Sequence, residues 1–372
     1  MRIHVLLASF LFLASCGSKD ETVTPTPLHE VEAVEVTAGD ELGGFDVSVN
    51  GIGFWTHPSV AFNGMMLVAT DNALTSYNIE DGTKIDEVTS INPDGLSIAY
   101  QGAGATARGV VATFDSNEAQ FRFYTIDNID RSFVLAPSLM VAEGEVSGFC
   151  LGRRTGDNAG LALYAIGPEK ITAYDLLLSG AGVSAEASTN FATPTPMTDC
   201  AVDALDGAVF ALAGNGDVFR FENGVSEEAP FAISGANSAV NIGLSYSGLV
   251  EGAPTDECCG HITVLDSSTG RISIFDRDDG HALGVTIIGA SFDVAAVTEA
   301  AVMGVGYGNF GSTNRNGVLA LATPGTEPVV RIVPWSGIIN ALGQPLGEPA
   351  NPRRLAAPED DKPKLDLNVL DL

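Results

Sequence analysis

The chain has 372 residues, of which 18 are Lys or Arg and 47 are Asp or Glu, giving a formal net charge of −29. This acid excess excludes nucleic-acid binding by phosphate neutralisation, which needs clustered cations. An apolar share of 45% excludes wholesale disorder, and only one apolar run is long enough to consider as a membrane segment, which excludes a multi-pass membrane protein.

In chain order, residues 1–15 read as a secretory signal. Arg2 and His4 open it, and Val5 to Ala14 is nearly all apolar, yet too short to span a bilayer as a helix. It ends Leu13-Ala14-Ser15-Cys16-Gly17, which resembles a bacterial lipobox, so Cys16 is the expected lipid-attachment residue. By the same resemblance, Gly17 rather than Asp implies an outer-membrane lipoprotein facing the periplasm or the outside, held by more than one acyl chain. Residues 16–44, polar and with Thr24-Pro25-Thr26-Pro27, read as a flexible tether.

From residue 45 the pattern is a recurring strand pair. An apolar run is followed by a turn of Gly, Asp or Asn, then by a strand rich in aromatic or β-branched residues. The pairs are Met65–Ala69 with Leu74–Ile79, Gly109–Thr113 with Phe121–Ile126, and Leu161–Ile166 with Ile171–Leu176. Ala208–Ala213 with Val218–Phe221, His261–Leu265 with Arg271–Phe275, and Gly317–Ala322 with Val329–Val333 complete the set. First strands recur about every 50 residues, the length of a four-stranded propeller blade. The expectation is an all-β fold, a six-bladed β-propeller over residues 45–355, followed by a polar tail at 356–372. No long amphipathic helix is expected.

The five cysteines are Cys16, Cys150, Cys200, Cys258 and Cys259. In an oxidising compartment Cys150 and Cys200 are a plausible disulfide. Cys258 and Cys259 are adjacent, which suits neither an unstrained bridge nor zinc spacing.

Several segments resemble the β-propeller phytases, calcium-dependent phosphatases of inositol hexakisphosphate. They are Trp55-Thr56-His57-Pro58, Val68-Ala69-Thr70-Asp71 and Tyr77-Asn78-Ile79-Glu80-Asp81-Gly82, then Arg122 to Asp127, Gly148-Phe149-Cys150-Leu151, Asp199 to Asp203, Asn316 to Leu319, Val333-Pro334-Trp335 and Asn351 to Leu355. The resemblance implies calcium as cofactor and an inositol phosphate or other phosphomonoester as substrate. It makes Lys170 and Asp199 catalytic candidates, and Asp199 and Asp203 candidate calcium ligands. Asp266 joins the metal candidates, although its stretch to Gly270 also reads as a simple turn.

The chain departs from that pattern where the chemistry should lie. Gly51-Ile52-Gly53-Phe54 stands where the family has acids before the first Trp, Phe114-Asp115 where it has Asn-Arg, and Met303–Gly308 is uncharged. A carboxylate such as Asp115 in place of a phosphate-binding Arg repels the substrate. Two readings therefore stand: a divergent phytase-like hydrolase with altered or lost activity, or a non-catalytic, membrane-anchored propeller that binds a ligand or an envelope protein. In either case a monomer is expected. The turn Asp276-Arg277-Asp278-Asp279-Gly280 looks like a calcium loop in miniature but lacks the remaining EF-hand ligands, so it reads as a hairpin turn. His57 and His261 read as packed or surface residues, and Trp55 and Trp335 as blade packing.

Overall fold

The structure is a computed structural model that describes residues 28–102, 104–142, 144–154, 160–179, 182–247, 260–292 and 294–353. Cys16 and the lipobox, Cys258, Cys259 and the tail at 356–372 lie outside the described residues. Among the described residues no helix is long and apolar enough to cross a membrane.

Six sheets form the molecule, antiparallel throughout except for one added edge strand. Blade 1 is Val49–Trp55, Met65–Thr70, Ala73–Asn78 and Lys84–Thr89, from the innermost strand outward. Blade 2 is Leu96–Gln101, Arg108–Asp115, Gln120–Ile126 and Phe133–Val141, and blade 3 is Gly148–Arg153, Leu161–Ile166, Lys170–Ser179 and Gly182–Ala192. Blade 4 is Met197–Val202, Val209–Ala213 and Asp217–Glu222, with an outer edge broken into Val225–Ser226 and Ala232–Ile233. Blade 5 is Ala239–Tyr246, Gly260–Asp266, Arg271–Asp276 and Ala282–Gly289, and blade 6 is Val302–Gly306, Val318–Ala322 and Val330–Pro334. Each innermost strand packs on the next, and the sixth packs on the first, so the ring closes. The predicted six-bladed propeller is the observed fold.

The apolar runs have a simple cause. The second strand of each blade is covered on both faces, so alternation does not produce a polar side. In Met65–Thr70, Met65, Leu67 and Ala69 enter the cluster between blades 1 and 2, while Met66 and Val68 enter the cluster between blades 6 and 1. In Leu161–Ile166, Leu161, Leu163 and Ala165 face blade 2, and Ala162, Tyr164 and Ile166 face blade 4. One such cluster fills each gap between blades. Trp55 and Trp335 are both buried in these gaps.

The expected tether at 16–44 needs correction over its described part. Val34–Thr37 adds as a parallel fifth strand to the outer strand of blade 5, and Asp40–Leu42 is the antiparallel outer strand of blade 6. The propeller therefore begins before residue 45. Blade 6 needs that strand because its own chain leaves the sheet after Pro334 into the helix Trp335–Ala341, whose Trp335, Ile338 and Ile339 are buried. Val36 and Ala38 supply buried anchors, and Glu41 pairs with Arg331 across the closing strands.

The C-terminal segment is a strap. Pro349 bridges to Ser247, and Arg353 enters the gap between blades 1 and 2. Its Nε and one terminal nitrogen donate to the Thr56 carbonyl (2.9 and 2.7 Å), the other to the Ala107 carbonyl (2.5 Å). The guanidinium lies over the rings of Trp55 and Tyr100, 5.0 and 4.9 Å from their centroids. Arg353 is 2% exposed, so this buried cation is held by carbonyl dipoles and π-faces.

Candidate functional site

The innermost strands enclose a channel along the ring axis, a cavity of about 360 Å³. Its bore is set by glycine, because neighbouring backbones approach too closely for a Cβ. One built on Gly148 would lie 2.4 Å from the Thr198 carbonyl oxygen, and one on Gly304 would lie 2.7 Å from that of Ile52. Gly306 ends the innermost strand of blade 6 and packs on Phe54.

Polar side chains near the start of these strands stitch each blade to the next. Asn50 Nδ2 donates to the Pro93 carbonyl (3.1 Å), Ser97 Oγ accepts from Leu151 N–H (2.9 Å), and Ser147 Oγ donates to the Met197 carbonyl (2.9 Å). Asp199 Oδ2 accepts from Ile242 N–H (3.1 Å) and Asn241 Nδ2 (3.2 Å), and Asn241 Oδ1 accepts from Met303 N–H (3.0 Å). Blades 1 through 6 are thus linked in sequence around one end of the channel. The other end is aromatic: Tyr100, Tyr246 and Tyr307 gather with Pro352, and Tyr246 meets Tyr307 edge-on at 4.7 Å.

Of the predicted catalytic and metal candidates, only Asp199 lines the channel. Protein surrounds its carboxylate, yet part of its surface stays accessible, because the channel is what it faces. Burial raises its pKa from 3.8 to about 6, against the pull of the Ile242, Asn241 and Cys200 donors. Its donors are neutral.

The other candidates lie away from the channel lining or in structural contacts. Lys170 begins the third strand of blade 3, two strands out from the channel, or about 10 Å at ordinary strand spacing. Asp203 is fully buried; its Oδ2 accepts from Arg277 (2.6 Å) and its Oδ1 from Tyr246 Oη (3.2 Å) and Leu205 N–H (2.8 Å). Burial raises its pKa and Arg277 opposes that rise; the short charge-assisted contact favours an ionised pair that ties blade 4 to blade 5. Asp266 accepts from Ser268 N–H (3.1 Å) and Ser268 Oγ (2.7 Å), which fixes the turn to Gly270. Asp115 likewise accepts from Asn117 and Glu118 N–H in a hairpin turn.

Calcium does not fit these residues. Asp199, Asp203 and Asp266 form no common ligand group, and two of the three already serve a salt bridge and a turn. Among the described residues one trio of possible ligands lies within 4.8 Å: Asp276, Asp279 and His281. It is the blade 5 hairpin turn, remote from the channel, where Asp279 Oδ1 already engages His281 N–H and Nδ1.

Cys150 and Cys200 form a disulfide between the innermost strands of blades 3 and 4, with Cα atoms 5.5 Å apart. His261 is buried against Trp335, and burial lowers its pKa to about 4. His57 Nδ1 accepts from Ser59 and Val60 N–H, and burial with the nearby Arg353 charge lowers its pKa. Sequence reasoning missed Asn241, the tyrosine end and the stitching side chains. The available signal was the pairing of glycine with polar residues in the innermost strands.

Fold and channel together define a six-bladed propeller with a narrow, stitched axial channel. No known family model matches the chain, and no curated protein matches it. Among solved structures it is similar to BBS1N in complex with ARL6DN soaked with lead, at 12% identity over 78% of this chain and 82% of that one (TM-score 0.45). The mercury-soaked form of that complex shows 10% identity over 82% and 99% (TM-score 0.46). Kluyvelomyces marxianus Hsv2 shows 11% identity over 74% and 70% (TM-score 0.37). Likeness at these identities concerns the fold alone.

Proposed function

We propose that this chain is a non-catalytic binding propeller, exported and anchored through Cys16, rather than a working phosphatase. The observation that carries the reading is the commitment of the charged groups. A phosphomonoesterase of the phytase kind needs carboxylates converging on calcium and free cations to hold phosphate. Here Arg353 is spent on carbonyls, Arg277 on Asp203, and Asp203 and Asp266 on structural contacts. The disulfide supports an oxidising compartment, in keeping with export.

The test is phosphate release from inositol hexakisphosphate by the mature protein, with and without calcium, alongside thermal melts in both conditions. The expected outcome is no calcium-dependent turnover and no calcium-linked rise in Tm, since a cation bound only to the folded state would stabilise it. Robust calcium-dependent release would restore the phytase reading and refute this one.

A further inference from the structure

We infer that the polar end of the axial channel is a binding site for a small organic amine, whose ammonium pairs with Asp199 and whose apolar body lies along the glycine-lined bore. This rests on the reading of the channel as a binding site and adds its ligand class.

The argument begins with an imbalance. Asp199 faces a cavity of about 360 Å³, and its hydrogen-bond donors are a side-chain amide and backbone N–H groups. A carboxylate withdrawn from bulk water without a cation is costly to ionise. Its raised pKa reports that cost. A cation that entered the channel would relieve it, and an ammonium would also supply N–H donors to the remaining oxygen lone pairs.

The other channel-facing charged and titratable groups agree with a cation at this end. Asp94 lies at the mouth near the start of the blade 2 innermost strand, where its Oδ2 accepts from Ser116 N–H (2.7 Å), so it adds negative potential without filling the site. Arg153 ends the blade 3 innermost strand, five residues along from Gly148, which neighbours Asp199; at strand rise that is about 16 Å away. Tyr100, Tyr246 and Tyr307 sit at that far end as neutral phenols, their pKa values raised by burial. Between the two ends the bore is lined by glycine and by apolar side chains such as Ile52 and Leu96, which favours an apolar body over a second charge. The net charge of −29 draws any amine toward the molecule, so attraction alone proves nothing, and the test must separate channel from surface.

The experiment is a calorimetric and thermal-shift titration of the mature protein at pH 7.5 with n-butylamine, with 1-butanol as the neutral isostere. The expected result is saturable amine binding, a rise in Tm, and no effect of the alcohol. Asp199→Asn keeps an oxygen to accept from Ile242 and Asn241, so it should fold, and it should lose the binding. Because a group with pKa about 6 is about one-tenth ionised at pH 5, affinity should fall about tenfold from pH 7.5 to pH 5. Binding retained in full by Asp199→Asn would place the amine on the acidic surface and overturn the inference. Absence of binding, or equal binding of 1-butanol, would do the same. Either result without phosphate release leaves the non-catalytic reading standing, whereas phosphate release would remove that reading whatever the amine does.

Discussion

Two groups withdrawn from bulk water, Asp199 and His261, titrate in the same pH range with opposite effects on stability. Asp199 is raised from 3.8 to about 6, so the folded state holds its proton more tightly than the unfolded chain does. Its favourable contribution is complete below pH 3.8 and is lost as pH rises through 6. His261 is lowered from 6.5 to about 4, so its contribution is complete above pH 6.5 and is lost as pH falls through 4. At 1.36 kcal/mol per unit, each is worth about 3 kcal/mol, and between pH 4 and 6.5 they largely cancel. Asp199→Asn keeps the acceptor geometry and removes the titration. Relative to the parent it should be neutral at pH 3 and about 3 kcal/mol more stable at pH 7, as read from urea midpoints across that range. A stability difference that does not vary with pH would show that the Asp199 carboxylate is not the source of the effect.

At the scale of elements, the strap and the closing strands hold an otherwise repetitive ring. Arg353 fills the junction of blades 1 and 2 with three hydrogen bonds to carbonyls and two aromatic faces. Arg353→Met should cost about 3 kcal/mol or more, because it leaves the Thr56 and Ala107 carbonyls without these buried donors. Arg353→Lys should fall between the two, since it keeps a cation but not the planar fork. Guanidinium denaturation of the three proteins checks this, and a Met variant as stable as the parent would reduce the strap to a passive tail. The strands in the middle of each blade were legible because both faces are buried: runs such as Met65–Ala69 and Leu161–Ile166 match observed strands within a residue. Val34–Thr37 and Asp40–Leu42 were not, because a short edge strand carrying Glu35, Asp40 and Glu41 has no apolar run to announce it. Of the catalytic and metal candidates read from the sequence, only Asp199 lies on the channel. Lys170 and Asp203 were placed by resemblance and Asp266 was added from its polar turn; the topology put the first on an outer strand, and the other two serve a salt bridge and a turn. The innermost strands were hardest to read, since Gly51, Gly148 and Gly304 are selected by backbone approach rather than by strand propensity.

At the scale of the whole molecule, a covalent bond spans the junction between blades 3 and 4. Cys150 and Cys200 are 50 residues apart, and the loop they close contains nearly all of blade 3. By loop-closure entropy, a bond of that span stabilises the fold by about 4 kcal/mol through the unfolded state. That figure is an upper estimate, because both cysteines also pack with Tyr164, Phe191 and Phe221 in the core between blades 3 and 4, and this packing survives reduction. In a closed ring, weakening one junction lets blade edges separate, so the loss should appear as a lower midpoint for the whole cooperative transition and not as a separate early phase. The double variant Cys150→Ser/Cys200→Ser, and the parent in dithiothreitol, should therefore lose a common amount of up to about 4 kcal/mol in equilibrium unfolding. Agreement between them would assign the loss to the cross-link, and a larger loss in the variant would measure the cost of a buried hydroxyl. Unchanged stability in both would mean that ring packing alone holds blades 3 and 4 together, and it would remove the disulfide as a reason for the chain to fold in an oxidising compartment.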